Sequence, residues 1–116
     1  MVDDFIATTE MAGLVVSTII IHGDAHASAN KMAHYARNSD LVMLHQPNPN
    51  RDNFLRLQEF AQQVLLLSGR PIFFMPYIGC KKISFERIMI AWDGTPAASR
   101  AVHDSVPLLA SAKDVI

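Results

Sequence analysis

Three short strings, Leu41 to Leu44, Ile72 to Met75 and Ile88 to Trp92, are apolar at odd and even positions alike and are bounded by turn-forming residues. A strand with one wet face alternates polar and apolar side chains. A strand apolar at both parities is covered on both faces, as in parallel sheets sandwiched between helices. A fourth string, Leu14 to Ile21, is rich in β-branched residues and reads as a further strand. The segments between carry a helical period instead: Ala25, Ala29, Met32, Ala33 and Ala36 share one stripe, and so do Phe54, Leu57, Ala61, Val64 and Ser68. Strands alternating with helices make parallel β-α-β units, so the expected class is α/β with a parallel open sheet.

The punctuation fits that alternation. Gly69 falls where a helix ends, and Pro71 opens the next strand, where a missing N–H does little harm. Asp52 and Thr95 are the expected N-caps, and Pro96 presets the first turn after Thr95. A helix is expected over Ala97 to Ala110, bent at Pro107, which removes one backbone bond. Asp3 to Ala12 reads as the tail of a helix closed by Gly13, and Asp114 to Ile116 as the start of a strand, so both ends read as cuts through a larger unit. Gly79 to Ser84 joins two strands with no helix between them. A parallel crossover normally needs a dozen or more residues, so this stretch reads as a junction between repeats.

Composition narrows the function classes. With 116 residues, half of them apolar and 18% charged, the chain can bury one domain's core. A formal charge of −1 offers no basic excess for a nucleic-acid backbone. No apolar run approaches the roughly 20 residues that span a bilayer, and the acidic Asp3-Asp4 stands where a signal peptide has basic residues. The single cysteine, Cys80, has no internal disulfide partner. The expectation is a cytoplasmic protein that binds neither nucleic acid nor membrane.

The segment Ile88-Met89-Ile90-Ala91-Trp92-Asp93-Gly94-Thr95-Pro96, continuing through Leu109, resembles the opening strand and helix of the second repeat in tandem universal stress proteins. Upstream, Asp40 to Pro49, Leu65 to Pro71 and Met75 to Gly79 resemble the last two strands of the first repeat, and His22-Gly23-Asp24 the turn after its third strand. The resemblance implies a Rossmann-like, adenine-nucleotide α-hydrolase-like fold that is incomplete in one chain. Residues 1–79 would be the C-terminal part of a first repeat, 80–84 a linker, and 85–116 the N-terminal part of a second. The strand that should lie between the first and third is nearly absent, which implies completion by another copy, a homo-oligomer with segment exchange.

In relatives of that family that bind ATP, an acidic residue after the first strand lies near the adenosine, and a glycine-rich loop after the fourth strand wraps the phosphates. Asp93 matches the first position. The second is occupied by Leu44-His45-Gln46-Pro47-Asn48-Pro49-Asn50-Arg51, where two prolines remove two backbone donors. The expectation is therefore a non-enzymatic protein that requires no cofactor. The alternative is an ATP- or AMP-binding regulatory module using the strand-end crevice near Asp93, against which stands the simpler reading of Asp93-Gly94-Thr95 as a capped turn. No catalytic nucleophile or metal set is assigned. His22 and His26 are separated by a turn, His45 is a strand-end histidine, and Cys80 beside Lys81 and Lys82 reads as a loop thiol.

Overall fold

The computed structural model describes residues 2–79 and 83–116. Helix α1 spans Val2–Met11 and ends as its glycine demands. Gly13 adopts φ +73°, its N–H donates to the Glu10 carbonyl at 2.9 Å, and the Leu14 N–H reaches back to Thr9 at 3.0 Å. The paired reversal satisfies carbonyls that a helix end leaves without partners.

Helix α2 spans Ala25–Ala36 and is capped by Asp24, whose carboxylate accepts from the Ala27 N–H at 2.8 Å. Its small-residue stripe turns inward, with Ala29, Ala33 and Ala36 buried. Strand β1, Val42–His45, follows, and then helix α3, Phe54–Ser68, which buries Ala61, Val64 and Ser68. The stripes read from the sequence are thus the faces that pack. Gly69 closes α3 in the left-handed region at φ 64°, where a side chain would strain the backbone. The expected N-cap at Asp52 is corrected: Asn53 holds that position, without a side-chain cap bond, and Asp52 sits exposed in the preceding turn.

Strand β2, Ile72–Met75, pairs in parallel with β1 in the register Val42 to Ile72 through His45 to Met75. Both α2 and α3 lie on one face of this ribbon. Ala29, Ala36, Val42 and Val64 form the buried cluster, with Met32, Leu44, Phe60 and Ile72 packed against it. On the opposite face Met43 is exposed, while the half-buried Phe73 ring meets the Phe85 ring edge-on, 5.8 Å between centroids.

A second ribbon is built from β3, Arg87–Ile88, and β4, Asp114–Val115, connected by helix α4, Pro96–Leu109. The ribbon is parallel, and its ladder continues where Ile116 donates to Ile88 at 3.0 Å and Ile90 donates to Ile116 at 2.8 Å. Helix α4 starts at Pro96, one residue before the expected Ala97, and runs through Pro107 to Leu109 with no residue buried.

Two expectations give way here. The single open sheet is replaced by two separate two-stranded sheets, so the architecture is mixed α/β with short parallel strands. Leu14 to Ile21 forms no strand, because a strand exists only where another lies beside it, and none does. The string Ile88 to Trp92 is paired only as far as Ile90, and the Met89 and Trp92 side chains are exposed. The expected linker lies partly outside the described residues, at 80–82; Ile83 and Ser84 are irregular.

Candidate functional site

Asp93, the one candidate ligand-binding residue, lies in the turn that feeds α4. Gly94 takes φ +76° there, which folds the chain back so that the Asp93 Oδ1 accepts from both the Thr95 N–H at 2.9 Å and the Thr95 hydroxyl at 2.7 Å. The Thr95 Oγ1 in turn accepts from the Ala98 N–H at 3.2 Å. The result is a relay of bonds that caps the helix. The Thr95 hydroxyl, and after it the Thr95 backbone N–H, stabilise the ionised carboxylate and hold its pKa below the ordinary 3.8.

A group whose folded pKa is depressed stabilises the fold above its ordinary value and loses that contribution as pH falls through the lowered one. The helical signal of α4 is therefore expected to weaken only in the acid range below about 3.8. Asp93→Asn should remove that acid dependence, and Thr95→Ala should cost about 1 kcal/mol of helix stability at neutral pH. Circular dichroism across a pH titration of the two variants checks both. An unchanged acid limb in Asp93→Asn would contradict the relay.

The loop after β1 does not form a phosphate cradle. The Asn48 Oδ1 accepts from the Asn50 N–H at 2.9 Å and the Asn48 carbonyl from the Arg51 N–H at 3.1 Å, so those donors are already spent on the loop's own turns. His45 ends β1, exposed. His26 lies in α2, but His22 precedes the Asp24 cap, so the two do not share a helical face, and the His22 carbonyl accepts from the Lys31 ammonium. Among the described residues, no three metal-ligating side chains converge. Cys80, Lys81 and Lys82 lie outside the described residues, and Arg87 pairs with Asp114 at 3.3 Å.

A cavity of about 640 Å³ forms an open groove between α4 and the corner of α3 and β2. Leu65, Leu66, Phe73, Ala97, Ala101 and Leu108 line it, with Arg100 and Asp104 on α4; Asp93 does not. The sequence's candidate residue and the molecule's cavity are therefore in different places. The groove's walls are mostly apolar, with Arg70, Arg100, Asp104 and Ser105 among the lining residues.

Packing space is short of occupants throughout. The buried apolar residues among those described are four alanines, Ala29, Ala33, Ala36 and Ala61, with Val42 and Val64. Larger side chains stay in solvent: Ile20 is 76% exposed, Met89 80% and Trp92 60%. A compact monomer of this mass exposes about 6,300 Å², whereas this chain of 12.9 kDa exposes 9,285 Å². The radius of gyration, 15.8 Å, likewise exceeds the roughly 13 Å of a compact domain of this length. The sequence reading found the apolar strings but missed the Asp24 cap, for which Asp followed by an alanine-rich period was the available signal.

Among the described residues, no helix is long and apolar enough to cross a membrane. No family model, curated protein or solved structure matches the chain.

Proposed function

We propose that the chain is a universal stress protein-like module with a non-enzymatic role in a stress response, and that it works as an assembly of its own copies. The family reading is supported by the resemblance of residues 88–109 and 40–49 described above. Self-association is carried by one observation, the accessible surface of 9,285 Å² on a 12.9 kDa chain. The excess over a compact monomer is about 3,000 Å², the exposed residues include Ile20, Met89 and Trp92, and each apolar Å² left in water costs roughly 25 cal/mol. Association removes that cost.

Nucleotide recognition at Asp93 is the weaker reading, since the Asp93 carboxylate already accepts two bonds from Thr95 in capping α4. In the loop after β1 the Asn50 and Arg51 N–H groups are bonded within the loop itself. The direct test is sedimentation velocity over a micromolar concentration series. A species of at least twice 12.9 kDa is expected. A compact particle of 12.9 kDa at every concentration would overturn the proposal.

A further inference from the structure

The handedness of the crossovers says where the missing neighbours belong. Helices α2 and α3 share one face of the β1–β2 ribbon. Connections between parallel strands are right-handed almost without exception, so two crossovers on the same face advance in the same direction across a sheet. The step from β1 to β2 through α3 runs one way. The step from residues 14–21 to β1 through α2 runs the same way, which puts residues 14–21 on the side of β1 away from β2.

That side of β1 is an open edge. The Val42 and Gln46 N–H groups donate to the Pro71 and Met75 carbonyls of β2, so the backbone groups of Met43 and His45 face outward. Yet residues 14–21 make no ladder with β1. Residues 14–21, extended as a strand of the same sheet, would leave room beside β1 for others, and the face of the β1–β2 ribbon away from α2 and α3 carries the exposed Met43.

The β3–β4 ribbon fits both vacancies in one orientation only. With β3 against β1 and β4 beyond it, the step from β3 to β4 advances opposite to the step from β1 to β2. Helix α4 then falls on the face opposite α2 and α3, the bare one. The reverse orientation would drive α4 into the face already filled. Within one chain the two ribbons stay separate. On the β3 side, Glu86, Ile88 and Ile90 are turned toward β4, so the backbone groups of Arg87 and Met89 are the ones left facing out.

From this we infer that two copies of the chain exchange halves. The β3–β4 ribbon of each inserts between residues 14–21 and β1 of the other, giving two five-stranded parallel sheets ordered 14–21, β4 of the partner, β3 of the partner, β1, β2. This rests on the self-association proposed above and assigns its surface. The area supports a second copy wrapped in this way over a docked patch. An ordinary interface buries about 800 Å² per partner, while obligate dimers reach about 2,500 Å² per chain, close to the excess here.

Adjacent strands bring Cα atoms within disulfide reach, roughly 4.4–6.8 Å. In a parallel ladder a residue whose backbone faces the partner strand lies opposite one whose backbone faces away, so Met43 falls opposite Ile88 or Ile90. In a Cys80→Ser background, Met43→Cys and Ile88→Cys are made in separate chains, refolded together and oxidised; Met43→Cys with Ile90→Cys covers a two-residue difference in register. One of the mixtures should yield a covalent dimer of twice 12.9 kDa on a non-reducing gel, and no chain alone should. A Phe74→Cys and Ile88→Cys mixture, on the outer edge of β2, should stay unlinked. Dimers in sedimentation without either expected cross-link would overturn the exchange while leaving self-association standing. Monomers in sedimentation would overturn both.

Discussion

Ala29→Leu should come close to unfolding the protein. Ala29 is fully buried in the cluster where α2 meets Val64 of α3 and Val42 of β1. Its methyl group sets how near α2 approaches the other elements. Three added carbons would push α2 away from Val42 and Val64, and overpacking of this kind typically costs about 1–3 kcal/mol. Against an ordinary domain that is a fraction of the stability, but here the buried set consists of alanines and valines, so the same cost weighs more. His34→Ala, on the exposed side of α2, should stay within about 0.5 kcal/mol of the parent. Urea unfolding followed by circular dichroism, at one fixed protein concentration, compares the two. Equal midpoints would mean that the alanine seam is not what holds the first half together.

The thermal midpoint should rise with protein concentration. If copies complete each other's sheets, folding and association are one reaction, and each tenfold increase in concentration adds about 1.4 kcal/mol to the stability of the assembly. For a cooperative unit of two such chains, that corresponds to roughly 3–6 °C per decade. Scans across two decades would show the slope plainly. A flat midpoint would mean that each chain melts alone, with its exposed Met89 and Trp92 already in solvent in the folded state.

Local chemistry was legible in the sequence because it depends on neighbours a few residues away. The stripes Ala29-Ala33-Ala36 and Ala61-Val64-Ser68 were both readable, and so were Gly69 at the end of α3 and Thr95 at the start of α4. Asp52 failed as a cap because helix starts are fixed to the residue by backbone angles that composition does not specify, and the chain enters α3 one residue later. Leu14 to Ile21 failed for a different reason. Its β-branched side chains record a preference for a pleated, covered environment, but pairing is a property of two segments, and its neighbour is not supplied by the surrounding chain. Asp93 was located correctly in the turn before α4, and only its bonds to Thr95 reveal that its carboxylate serves the helix start.

Among the described residues, no ladder of backbone bonds joins the first ribbon to the second, so their covalent connection chiefly gives each a high local concentration of the other. Two polypeptides divided between the ribbons should still find each other, more slowly and only when plentiful, which makes the chain a natural starting point for a split reporter.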